Sequence, residues 1–146
     1  MHSSDIFVTG IGVISALGKD VNANVHALQS GESGIGPITR LKTIHRNVFP
    51  VAEVKYSNEE LSHFSGMSDE ISRTALLSVI AASEALEDAE IHTNSGLRIG
   101  FVSANSVGGM DKSEDFFAEF LSDHSKGKLR NIVHHECGSI TELAAH

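Results

Sequence analysis

Four neighbouring residues near the end of the chain have side chains that bind metals or attack carbonyl carbons: His134, His135, Glu136 and Cys137. On a helix, His134 and Cys137 are three apart and share a face, but two ligands fall short of a metal site. Cys137 is the only cysteine, so neither an internal disulfide nor a multi-cysteine zinc site can form. As a nucleophile it would need a lowered pKa, from a helix N-terminus or a neighbouring cation. Its neighbour Glu136 is an anion instead. Val133, Cys137, Ile140 and Ala144 recur at i, i+4, i+7 and i+11, which places the thiol on the apolar stripe of a final helix. Cys137 is therefore expected to be a buried, inert thiol beside surface histidines, and no metal is expected.

A second pattern is TGIGVISALG, Thr9 to Gly18, which follows an apolar run and precedes a helical one. A dinucleotide-binding loop occupies that place, and a nicotinamide-dependent oxidoreductase is one reading of it. The spacing departs from G-x-G-x-x-G, however: after Gly10 and Gly12 the third position is Ser15, and the next glycine is Gly18. The other reading is a tight strand-to-helix connection in which glycine permits close packing. Paired carboxylates at Glu59 and Glu60, and at Glu87 and Asp88, are adjacent residues that point apart on a helix, and read as solvated faces. Lys126, Lys128 and Arg130 form a local basic cluster, fit either to steer an acidic partner or to be a solvated loop.

These residues need elements to position them. Ile6 to Thr9 is a β-branched and aromatic run, the pattern of a short buried strand. Asp20 is a good N-cap for a helix with Val21, Val25 and Leu28 on one face, closed by Gly31. Ser30 to Arg40 reads as a loop, and Val51 to Val54 as a short strand. Ser72 to Glu90, free of Gly and Pro, predicts one helix of roughly 28 Å, apolar nearly all round in its first half. Arg98 to Ser103 is another strand candidate, running into a turn of small residues at Asn105 to Gly109. Asp111 can cap the next helix, whose Phe116, Phe117, Phe120 and Leu121 make an aromatic stripe suited to a core or a subunit interface. Strands alternating with helices indicate an α/β fold with a largely parallel sheet.

Composition narrows the function. The 146 residues amount to one domain's worth of chain, with 40% hydrophobic and 21% charged residues, as in globular proteins. Lys and Arg number 11 against 19 Asp and Glu, a net charge of −8, which argues against nucleic acid as a partner. The N-terminus lacks the cationic start of a signal peptide, and no stretch approaches the roughly 20 apolar residues of a membrane span. A cytoplasmic protein without a membrane partner is expected.

Four ordered blocks then resemble the N-terminal half of the β-ketoacyl-acyl-carrier-protein synthases, condensing enzymes of the thiolase superfamily. VTGIGVISALGKDV resembles that family's opening strand and loop. SGESGIGPITR is similar to its G-x-S-G-I-G-P-I-T-R segment, the most specific of the four. SRTALLSVIAASEALEDAEI resembles its long helix, and RIGFVSANSVGGM the strand and Gly-Gly turn that follow. Ser72 stands where the family often has Asp, and Asn105 and Ser106 where Ser-Gly is common.

The resemblance implies a thiolase-like fold of α-β-α-β-α layers, of which residues 1–146 would be the first part of the N-terminal half, ending before the catalytic cysteine. It implies decarboxylative condensation of an acyl thioester with malonyl-carrier protein, without a cofactor, in a homodimer. It assigns no catalytic residue to this chain, which alone is expected to be inactive. It implies that Val107 borders the acyl pocket, with an apolar core residue as the alternative, and that Lys126, Lys128 and Arg130 contact acyl carrier protein. A non-catalytic chain-length or scaffolding partner of the same fold is the rival implication.

Overall fold

The computed structural model describes residues 5–92, 96–133 and 135–145. Contacts divide the chain into two compact units, Met1–Lys55 with Ala81–Leu97, and Tyr56–Ile80 with Arg98–His146.

In the first unit, helix α1 spans Val21–Gln29 and begins as the sequence predicts: the Asp20 carboxylate accepts the Ala23 N–H at 2.8 Å. Its buried face differs from the expected one. Asn24 and Ala27 are buried, whereas Val25 and Leu28 are exposed. The cause is polar. The Asn24 amide donates to the carbonyls of Gly18 at 3.1 Å and Asp20 at 2.8 Å, and its oxygen accepts from the Ser15 hydroxyl. Burying the asparagine satisfies the carbonyls of a glycine-rich turn, and the helix is rotated accordingly.

Strands β1, Ile35–Gly36, and β2, Val51–Ala52, pair antiparallel, with Ile35 opposite Ala52 and Gly36 opposite Val51. They form the only ladder among the described residues, so β1 replaces part of the expected loop and the expected parallel pairing is not found there. The predicted strands at residues 6–9 and 98–103 have no ladder partner among the described residues. Ile6 is 96% exposed and Val102 95%: a strand buries its faces only within a sheet.

Helix α3 spans Arg73–Asp88, close to prediction, and carries its first eight residues in the second unit and the rest in the first. None of those first eight is exposed, in keeping with an all-round apolar surface. The second unit also holds α2, Asn58–Ser65, begun by a capping box in which Glu60 accepts the Ser57 N–H and the Ser57 hydroxyl accepts the Glu60 N–H. Helix α4 spans Met110–Ser122, a 3₁₀ turn follows at Leu129–Ile132, and α5 spans Cys137–Ala145. Leu61, Ala75, Leu76, Phe116 and Ile140 form the buried apolar set of this unit.

Two expectations are corrected here. Asp111 lies inside the first turn of α4 and does not cap it; its Oδ2 accepts the Arg73 N–H at 2.9 Å and so caps α3. Its Oδ1 is buried without a partner among the described residues. The final helix starts at Cys137, later than the apolar spacing from Val133 implied, and a 3₁₀ turn at Leu129–Ile132 precedes it. Val133 is 64% exposed, and Cys137 is exposed rather than buried.

Candidate functional site

The Gly10–Gly18 segment shows why its glycines are there. A Cβ on Gly10 would lie 2.2 Å from the Ala85 carbonyl oxygen, and one on Gly12 1.9 Å from that of Ala81. The segment therefore runs against the alanine side of α3, closer than any larger residue allows. Its amides are already used: Ile11 N–H donates to Asp88 Oδ2 at 2.9 Å and Val13 N–H to Glu84 Oε2 at 2.8 Å. The other Glu84 oxygen accepts the Val21 N–H, at the start of α1, at 2.7 Å. A pyrophosphate would need such amides for itself, so the segment does not fit a nicotinamide cofactor. Asp88 and Glu60, read from sequence as solvated, are acceptors for backbone N–H groups.

In the second unit, the turn that carries Val107 is held from both sides. Gly108 N–H donates to Asn105 Oδ1 at 2.7 Å, and Asn105 Nδ2 donates to the Cys137 carbonyl at 3.2 Å. Gly109 N–H donates to the His135 carbonyl at 2.9 Å. Gly108 has φ +53°, and a Cβ there would sit 2.5 Å from that same carbonyl, so glycine is required. Val107 is thus fixed in position while 47% exposed, which does not match a core residue in this chain. Cys137 supplies a carbonyl to this clamp. His134, the partner needed for a two-ligand metal face, lies outside the described residues. No group of three His, Cys, Asp or Glu able to hold a metal occurs among the described residues.

The basic cluster is partly neutralised. Arg130 pairs with Glu70 at 2.7 Å and Lys126 with Asp123 at 3.7 Å. The Ser125 hydroxyl and amide both donate to Asp123, holding its carboxyl below the usual range and so keeping the anion beside Lys126 charged.

Sequence reasoning missed one strongly perturbed carboxylate, Glu53. Glu53 follows β2 and accepts the N–H groups of Thr39, Arg40 and Leu41, together with the Thr39 hydroxyl, at 2.6–2.9 Å. Partial burial pushes its pKa up, but these hydrogen bonds outweigh that and bring it to about 2. Its only signal was a carboxylate after a short strand, near an unassigned loop. A cavity of about 620 Å³ adjoins it, lined in part by Ile35, Thr39, Arg40, Val51 and Lys55. No helix among the described residues is long and apolar enough to cross a membrane.

A glycine-rich segment laid along a long helix has a counterpart of known class. The fold is that of a ketosynthase, thiolase-like: the solved structure titled "The ishigamide ketosynthase/chain length factor" matches 94% of this chain and 35% of its own, with a TM-score of 0.75 and 24% identity. The chain belongs to the β-ketoacyl synthase family, whose model, "Beta-ketoacyl synthase, N-terminal domain", matches residues 3–140. It is 32% identical over 111 residues to 3-oxoacyl-[acyl-carrier-protein] synthase 2 of Staphylococcus aureus (strain COL), covering 75% of this chain and 27% of the relative. It is 30% identical over 123 residues to Nodulation protein E of Rhizobium meliloti (strain 1021), covering 81% of this chain and 30% of that protein. The chain thus spans between a quarter and a third of the curated relatives it matches.

Proposed function

We propose that these residues are the N-terminal portion of a 3-oxoacyl-[acyl-carrier-protein] synthase, a dimeric cytoplasmic acyltransferase whose nucleophilic cysteine lies outside residues 1–146. The observation that carries this reading is the family match over nearly the whole chain. In the reaction, a thiolate takes an acyl group from a thioester. Malonyl-carrier protein then loses CO₂, and the resulting carbanion attacks the acyl carbonyl and releases the thiolate. This portion supplies architecture: the Asn105–Gly109 clamp presents Val107 toward the acyl pocket, and Lys126, Lys128 and Arg130 contact the carrier protein. The exposed apolar segments at 6–8 and 99–102 fit strands of a layered sheet completed by residues outside the chain.

The fold likeness to a structure named ketosynthase/chain length factor favours a second reading, a chain-length partner without a nucleophile. One assay separates them. The full-length polypeptide, given acyl- and malonyl-carrier protein, should release CO₂ and form a 3-oxoacyl product. Cys137→Ser should leave that turnover within about twofold, since its thiol sits beside Glu136 and only its carbonyl is used. Activity that appears only with an added catalytic subunit supports the chain-length reading, and abolition by Cys137→Ser would overturn the assignment of the nucleophile.

A further inference from the structure

The turn that carries Val107 is tied by hydrogen bonds to α5 and the residues just before it, and one of the ties is a side-chain bridge. Asn105 Nδ2 donates to the Cys137 carbonyl at 3.2 Å, while Asn105 Oδ1 accepts the Gly108 N–H at 2.7 Å. A carboxamide carries a donor and an acceptor on one rigid plane; a serine hydroxyl, shorter and with a single polar atom, cannot reach both partners. Asn105 and Ser106 stand where Ser-Gly is common in the family, so the bridge belongs to this chain.

The ties fall on both sides of Val107. Before it, the Ser103 and Thr141 hydroxyls share a hydrogen bond at 2.5 Å and Asn105 makes its bridge; after it, Gly109 N–H donates to the His135 carbonyl at 2.9 Å. All of these residues lie within the second unit. A Cβ on Gly108 would sit 2.5 Å from the His135 carbonyl oxygen and 3.0 Å from the Cys137 nitrogen, so the turn has no room to move toward α5. Movement away from α5 is opposed by the hydrogen bonds. Val107 itself is 47% exposed, and its own packing does not hold it.

We propose that Asn105 is a positioning residue for acyl-chain selectivity: it holds the turn against α5 and so sets how far Val107 projects into the acyl pocket. The inference rests on the synthase reading above, with Val107 at the pocket border. Asn105 acts through Val107 and not on the reacting atoms. With the bridge, the wall that a long acyl chain meets keeps its position; without it, the wall recedes under that chain. Room for one more methylene changes discrimination in an apolar pocket by roughly 10–200-fold, so a small retreat of the turn is enough to read.

The test is kcat and KM of the full-length polypeptide, with a catalytic subunit added where one is required, for butyryl-, octanoyl- and hexadecanoyl-carrier protein with malonyl-carrier protein. Asn105→Ala should lower the ratio of kcat/KM between the best and the worst of these chains by about tenfold, chiefly through the KM of the disfavoured chain. Val107→Ala should flatten the profile as well. Adding Asn105→Ala to it should change the ratio by less than about twofold, because the side chain that the bridge positions is gone. A residue needed only for folding would add its effect in both backgrounds. Asn58→Ala, which removes the acceptor of the Arg73 guanidinium at 2.9 Å in the same unit, is the control and should leave the ratio unchanged. Circular dichroism and melting temperature check that the variants fold. Should Asn105→Ala misfold, Asn105→Ser, which keeps an acceptor for Gly108 without reaching Cys137, should still lower the ratio about threefold. An unaltered ratio in the folded Asn105 variant, or equal effects with and without the Val107 side chain, overturns the inference and leaves the proposed function standing. Absence of condensation with every chain, alone and with the added subunit, overturns both.

Discussion

Replacing Glu53 with Gln should loosen the Thr39–Leu41 backbone by a measurable amount. Oε2 accepts Thr39 N–H at 2.8 Å and Arg40 N–H at 2.9 Å, and Oε1 accepts Leu41 N–H at 2.6 Å. Burial raises the carboxyl's pKa, but these hydrogen bonds lower it by more, and the net change is from the usual 4.5 to about 2. The folded value lies below the unfolded one, so the stabilisation is complete above pH 4.5 and is lost as pH falls toward 2. At 1.36 kcal/mol per pH unit the upper figure is about 3 kcal/mol, and solvent around the carboxylate reduces it to about 1–2 kcal/mol. A glutamine keeps one acceptor oxygen and turns an NH₂ toward N–H donors, forfeiting most of that. Amide exchange at Thr39, Arg40 and Leu41 should therefore be about 5–30-fold faster in Glu53→Gln at pH 7. The unaltered protein should lose protection at these amides between pH 4.5 and 2, whereas the variant should lack that dependence. Exchange within twofold of the unaltered protein, or the same acid sensitivity in both, would refute the reasoning.

Gly12→Ala places a methyl 1.9 Å from the Ala81 carbonyl oxygen and 2.8 Å from the Ala85 nitrogen, both backbone atoms. It should destabilise by about 1–3 kcal/mol and lower the melting temperature by several degrees, while Gly36→Ala, with open space around it, should leave it unchanged. Equal melting temperatures for the two would show that the segment does not lie against α3. Asp111→Ala leaves the Arg73 N–H without its acceptor and should cost about 1–2 kcal/mol in a urea titration at unchanged m-value. A stabilised Asp111→Ala protein would mean instead that the unpartnered Oδ1 dominates.

What the sequence made legible depended on how local the cause was. The long helix at 73–88 and the Asp20 cap arise from propensity and from a side chain three residues from its target, and both were found. The α1 face was misjudged because an apolar count cannot see that Asn24 is needed inside, on the carbonyls of Gly18 and Asp20. Asp111 was assigned to its own helix because the amide it serves is 38 residues away. The runs at 6–9 and 98–103 have the composition of strands, but composition does not supply a partner, and neither run forms a ladder among the described residues. At the candidate site, the four blocks identified the family, while the geometry that fixes Val107 rests on His135 and Cys137 main-chain atoms that no residue type reveals.

The net charge of −8 acquires a different meaning from these contacts. Asp20, Glu53, Glu60, Glu84, Asp88, Asp111 and Asp123 each accept a backbone N–H, at helix starts, along the glycine-rich segment, and in the loops at Thr39–Leu41 and Ser125. Such groups would otherwise be orphan donors, so much of the acidity satisfies the chain itself. A cationic ligand would have to compete with those amides. The cations carry the better information about partners, because they are fewer and unevenly placed. Lys126 and Arg130 stand opposite Asp123 and Glu70, so even these cations are partly committed within the chain.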